Sequence, residues 1–133
     1  MGKQVTQGQP WCPTTMRAAD DGRSTTTGAV DYRDKVALLI PAVSGTIGVR
    51  WTCTLDGDAA KQVRVRLYDA TGGVVLQEHI SEPKRRTEQL LVSGFAYVTM
   101  AGVAKTIKVQ FKPEGQGDTA GAQKAAVEAW RVS

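Results

Sequence analysis

Val92-Ser93-Gly94-Phe95-Ala96-Tyr97-Val98-Thr99 is followed by Thr106-Ile107-Lys108-Val109-Gln110-Phe111. Beyond a Gly-rich loop comes Ala126-Val127-Glu128-Ala129-Trp130-Arg131-Val132. In the middle segment Ile107, Val109 and Phe111 alternate with Lys108 and Gln110, a period of two that puts apolar side chains on one face and polar ones on the other. Such alternation marks half-buried antiparallel strands. Three strands joined by short turns read as the end of an antiparallel sandwich.

The same period extends towards the N-terminus. Val36 to Ile40 is a short apolar run closed by Pro41. From Gly45 to Leu55, Ile47, Val49, Trp51, Cys53 and Leu55 share one face, and Arg50, Thr52 and Thr54 the other. Asp56-Gly57-Asp58 reads as a turn. Val63, Val65 and Leu67 point inward between Arg64, Arg66 and Tyr68, and Asp69 to Gly73 is a hairpin signal before a partner strand at 74–80. Glu82 to Arg86 is a charged break containing Pro83. Leu90 to Met100 is a long strand with a bend expected at Gly94, and 113–121 a long loop. Ala120 to Ala129 is rich in alanine, a helix former. The glycines at 117 and 121 and the apolar residues on both parities favour a strand over 125–132. The expected fold is all-β, an antiparallel jelly-roll β-sandwich over residues 31–133.

Residues 1–30 lack apolar periodicity and carry loop composition at 20–28. They read as an extended N-terminal arm that orders on a partner. Trp11 and Met16 are its large apolar side chains and the candidate partner-binding residues. Trp11 either anchors in a partner's pocket or folds back on its own domain.

A chain of 133 residues suits one domain large enough to bury a core without metal or disulfides. The 41% hydrophobic and 23% charged shares are those of an ordinary globular protein. A net charge of +4 permits an acidic partner without demanding nucleic acid. No run approaches the length of a membrane helix, and the N-terminus lacks the apolar segment of a signal peptide. Cys53 falls on the inward face of a strand and Cys12 in the arm; a bond between them stays open.

Catalytic chemistry is not apparent. The sole histidine, His79, has no oriented partner, since Glu78 falls on the opposite strand face. Cys12, Cys53 and His79 lack metal-ligand spacing. Asp20-Asp21-Gly22 and Asp56-Gly57-Asp58 fit turns better than a calcium loop. No catalytic residue, metal ligand or cofactor is expected. Lys84, Arg85 and Arg86 form a basic cluster available for electrostatic contact. Trp130 and Val132 face away from Val127, and a neighbouring subunit would be the simplest cover for them.

Four segments resemble jelly-roll modules of bacteriophage virion proteins: Arg66-Leu67-Tyr68-Asp69 before a Gly-Gly turn, Ser93 to Tyr97, Ile107 to Phe111 and Val127 to Val132. That family includes head decoration (cement) proteins, head fibres and tail-fibre tips. The resemblance implies a non-enzymatic structural protein of the virion, assembled in the host cytoplasm. It implies binding to the major capsid protein or another virion protein, and a homotrimer with Trp130 and Val132 in its interface. The alternative is a fibre module that binds a glycan or receptor through exposed aromatics, for which Trp51, Tyr68, Tyr97 and Trp130 are the candidates.

Overall fold

The structure is a computed structural model that describes residues 15–27 and 31–133. Among the described residues there are nine strands and no helix. They are β1 (Met16–Asp20), β2 (Ser24–Thr27), β3 (Arg33–Ile40), β4 (Ser44–Gly57), β5 (Val63–Asp69), β6 (Val74–Ser81), β7 (Leu90–Ala101), β8 (Lys105–Pro113) and β9 (Thr119–Arg131). One sheet has the order β1-β9-β4-β7, with β2 also on β9; the other has the order β3-β8-β5-β6. Every pairing is antiparallel. Two sheets packed face to face, with the chain crossing between them, make an antiparallel jelly-roll β-sandwich.

The alternation read in the sequence becomes the core. Ile47, Val49, Trp51, Cys53 and Leu55 of β4 face Val63, Val65 and Leu67 of β5 and Ile107, Val109 and Phe111 of β8, all of them buried. Burial of side chains of this size contributes about 1.5–3 kcal/mol each. Trp51 is the largest; its ring fits because β7 carries Gly94 at the position opposite. A methyl group on Gly94 would stand 2.5 Å from the Trp51 Nε1. Trp51 Nε1–H donates to Gln77 Oε1 at 2.7 Å, which satisfies the buried indole from β6 in the other sheet.

Three expectations need correction. First, part of the expected arm belongs to the sandwich. Met16 to Ala19 pairs with Ala129 to Ala126, and Ser24 to Thr27 with Ala122 to Thr119. Met16 packs against the core, so it is a sandwich residue and not part of a free arm. Small residues hid these strands: Ala18, Ala19 and Thr25 to Thr27 give no strong alternation. Second, the last strand begins at Thr119, not Ala125, which shortens the expected loop. β9 continues past a disruption around Lys124, where φ is +50° and the register with β4 shifts between Thr52 and Thr54. Third, Asp56 and Gly57 belong to β4.

Lys35 ties the β1–β2 segment down. It is the extra residue where the β3–β8 register shifts between Asp34 and Val36. The shift turns its side chain inward, where it is fully covered. Its ammonium donates to Asp20 Oδ2 at 2.9 Å, to Ser24 Oγ at 3.1 Å and to the Gly22 carbonyl. Three acceptors match the three ammonium donors, which is what lets a lysine stay buried.

Candidate functional site

The outer face of the β1-β9-β4-β7 sheet carries the most distinctive surface. Gly48 pairs with Tyr97 on one side and Trp130 on the other; Arg50 pairs with Phe95 and with Glu128. These rows bring three aromatic rings together. Phe95 meets Tyr97 edge-on at 4.8 Å and Trp130 at 5.5 Å between centroids. The Arg50 guanidinium lies 5.8 Å from the Trp130 ring. Tyr97 is 64% exposed, Phe95 40% and, further along β7, Leu91 75%. Exposed aromatic and aliphatic side chains thus share one face of the sheet. Charged residues border it: Glu128 accepts from Arg50 Nε at 3.1 Å and is paired with Arg17 at 3.5 Å.

Trp130 points outward as its position predicted, yet it is only half-exposed. It covers the bare backbone of Gly48 and is flanked by Phe95 and Arg50. Its own chain therefore supplies much of the cover that the trimer expectation assigned to a neighbouring subunit. Val132 lies one residue beyond β9; its N–H donates to the Thr46 carbonyl at 2.8 Å, and its side chain is exposed. Trp51, named among the exposed aromatics, is 1% exposed and unavailable to a ligand. Tyr68 lies on the opposite sheet, where its ring and that of Tyr32 flank the Arg66 guanidinium at 4.2 and 3.9 Å. Phe95 was not singled out, although its spacing from Tyr97 by two residues already placed both rings on one face.

The outer face of the four-stranded sheet is mixed: Leu39, Val75 and Ile80 are exposed on it, beside charges that answer one another. Arg66 donates to Gln110 Oε1, and Gln110 and Lys108 donate to the two oxygens of Asp34. Arg64 bridges Glu78 and Glu114, and Tyr32 donates to Glu78. Burial and the Glu78 carboxylate both push the Tyr32 hydroxyl well above its usual range.

At one end of the sandwich a cleft of about 170 Å³ is lined by Arg23, Asp56, Gly57, Asp58, Arg86 and Thr119. Arg23 binds the buried Asp56 through two hydrogen bonds, which hold its guanidinium above its ordinary pKa. Asp58 accepts from the Thr119 N–H at 3.0 Å. Both carboxylates of Asp56-Gly57-Asp58 are thus engaged within the chain. In the basic cluster, Lys84 and Arg85 are exposed, and Arg86 stands 3.8 Å from Asp58. Asp20, the other acid considered for a calcium turn, is taken by Lys35 and the Gly22 N–H. Among the described residues no His, Cys, Asp and Glu side chains cluster as a metal site.

His79 pairs with Val65 and Glu78 with Arg66, so the two fall on opposite faces, as read from the sequence. The His79 ring lies 5.6 Å from Trp51 at the sheet edge. Burial pushes the Cys53 thiol up to about 12, which leaves it protonated and a poor nucleophile. Trp11, Cys12 and the first part of the arm lie outside the described residues.

No protein-family model matches this chain, and no curated protein matches it in sequence. Solved structures do match it in shape. A protein in the structure of infectious bursal disease virus Gt strain superposes with a TM-score of 0.61 over 90% of this chain at 9% identity. A mutant VP2 protein of the same virus, in derived T=1 particles, gives 0.50 over 90% at 10% identity. This chain spans 33% and 36% of the length of those two proteins. TmCBM61, in complex with beta-1,4-galactotriose, gives 0.43 at 11% identity, covering 89% of this chain and 88% of that one. The likeness to those two virus proteins is not specific to bacteriophage. At such identities it establishes the fold alone, an antiparallel jelly-roll β-sandwich.

Proposed function

We propose that this protein is a structural component of a bacteriophage virion, a capsid decoration (cement) protein that binds and stabilises the head shell, and that it is not an enzyme. The observation that carries the reading is the aromatic outer face of β7, β4 and β9. It exposes Leu91, Phe95 and Tyr97 on one sheet face, which suits docking on another protein. The jelly-roll fold and the resemblance of four segments to phage virion modules support the same reading. A protein that binds the assembled shell and not its free subunits stabilises the shell by mass action. The partner is the major capsid protein or another virion protein, the N-terminal arm adds contact through Trp11, and Lys84 and Arg85 supply charge for an acidic neighbour.

The test uses particles of the encoding phage grown without this gene. Purified protein should decorate them, seen as added density by electron microscopy, and raise their disruption temperature. Tyr97→Ala and Leu91→Ala should weaken decoration. Wild-type protein that leaves such particles bare would overturn the reading.

A second reading, a glycan-binding fibre module, draws on the open ring of Tyr97, since sugar rings stack on exposed aromatics. Titration with oligosaccharides separates the two. Saturable sugar binding lost in Tyr97→Ala favours the second reading, and decoration of bare particles the first.

A further inference from the structure

Among the described residues, β7 is an edge strand paired with β4 alone. Natural sheets blunt their edges with short strands, charges, prolines or bulges, because an exposed ladder of N–H and C=O groups will pair with any available strand. The other edges here carry these devices. β1 and β2 have five and four residues. β3 contains Arg33, Asp34 and Lys35 and breaks register at Lys35. β6 contains Glu78 and His79 and breaks register between its partners Leu67 and Tyr68. β7 has none of them. It runs for 12 residues, Leu90-Leu91-Val92-Ser93-Gly94-Phe95-Ala96-Tyr97-Val98-Thr99-Met100-Ala101, with no Asp, Glu, Lys, Arg, His or Pro. Its register with β4 is unbroken from Leu55↔Leu90 to Ser44↔Ala101.

We infer that the free edge of β7 pairs antiparallel with β7 of a second copy of this chain, across a two-fold axis at Phe95, joining two sheets into one. Composition selects a second copy over a foreign strand. In a two-fold pair with Phe95 on the axis, Phe95 faces its own copy and Ser93 faces Tyr97, so a charge near the axis would stand against its own like. β7 carries no charge there or elsewhere along its length, so a second copy meets no repulsion, and the strand offers no charge to complement a basic or acidic peptide. Pairing also sets Phe95 against Phe95 of the other copy and Tyr97 diagonal to it, which reduces the exposure of both rings. This two-fold replaces the three-fold arrangement expected from the sequence, and it does not depend on what the protein binds.

Sedimentation velocity on the full chain tests it, from about 1 to about 100 µM, where micromolar dissociation is visible. The wild type should run as a dimer. Phe95→Lys places like charges across the axis, and the double variant Ser93→Lys/Tyr97→Lys sets a lysine at 93 opposite one at 97 twice; each should raise the dissociation constant about tenfold or more. Circular dichroism confirms that each variant keeps its sheet, and the double variant, at two exposed positions, decides should Phe95→Lys fail to fold. An equimolar mixture of Phe95→Lys and Phe95→Glu should recover the dimer. A monomer throughout the range, a trimer, or a dimer indifferent to both the single and the double variant overturns the inference. Since no particle is present, that failure would leave the decoration reading to its own test.

Discussion

The Trp130 indole rests on the backbone of Gly48, its cross-strand neighbour: a methyl group on Gly48 would stand 2.8 Å from ring carbons Cε2 and Cζ2. Glycine is needed there for space.

Gly48→Ala should therefore lift Trp130 off the sheet. The expected cost is that of overpacking, about 1–3 kcal/mol. Thermal unfolding should show a lower midpoint, and the Trp130 indole N–H should shift in a ¹H–¹⁵N spectrum while that of Trp51 stays in place. An unmoved Trp130 signal would contradict the arrangement.

Gln77→Leu removes the acceptor of the Trp51 indole N–H and leaves a buried donor unsatisfied. The expected loss is about 1–3 kcal/mol, read as a lower urea midpoint with an unchanged slope. Gly94→Ala should be at least as damaging, because its methyl group would intrude on Trp51 Nε1 and on the Gln77 side chain.

Asp69 gives the protein an acid sensitivity of definite sign. Burial pushes its carboxyl up, but hydrogen bonds from Lys105 and the Gly72 N–H, with the Lys105 charge, outweigh burial and leave it below the usual carboxylate range. A group with a depressed folded-state pKa stabilises the fold above its unfolded value, about 3.9, and that contribution is lost as pH falls through the folded value. Stability measured by urea from neutral pH downward should thus drop below about pH 4. Asp69→Asn should start less stable at neutral pH and lose less on acidification. A parallel fall in both proteins would count against the role of Asp69.

Truncation should distinguish two parts of the N-terminal segment. Removing residues 1–14 leaves β1, β2 and the Lys35 clip intact, so the sandwich should stay folded. Removing 1–30 strips β9 of two partners and leaves the buried Lys35 ammonium without Asp20, Gly22 and Ser24. The first truncation should keep the wild-type melting profile, and the second should lower it sharply or abolish folding. Equal melting profiles would mean that β1 and β2 contribute nothing.

Alternation made the core legible. Every inward residue read in 47–55, 63–67 and 107–111 is buried, because a period of two assigns faces without knowledge of the partner strand. The Asp69–Gly73 hairpin was legible from turn chemistry, and Gly73 has a φ of +70°. The partners of β9 were not legible. β1 and β2 lie about a hundred residues away, and their Ala, Ser and Thr residues become strands only when β9 offers an edge. The burial of Lys35 was hidden for a related reason. Arg33-Asp34-Lys35 reads as a solvated charged run, and only the three acceptors gathered by the β1–β2 turn make the interior tolerable. At the candidate site, Tyr97 and Trp130 were visible as large aromatics. Gly48, which lets them flank one bare position, carried no signal of its own.

The position of β9 governs when this protein can fold. It is the last of the described strands, and it pairs with β4, β1 and β2. A ribosome delivers about 5–20 residues per second, so β4 and the N-terminal strands must wait several seconds beside an unfilled slot. Pairings this distant in sequence close slowly even once the chain is complete. Until then a β4–β7 pair would present an unpaired edge on each side. Expression at low temperature, or with chaperones that shelter exposed strands, should raise soluble yield more than any substitution in the core.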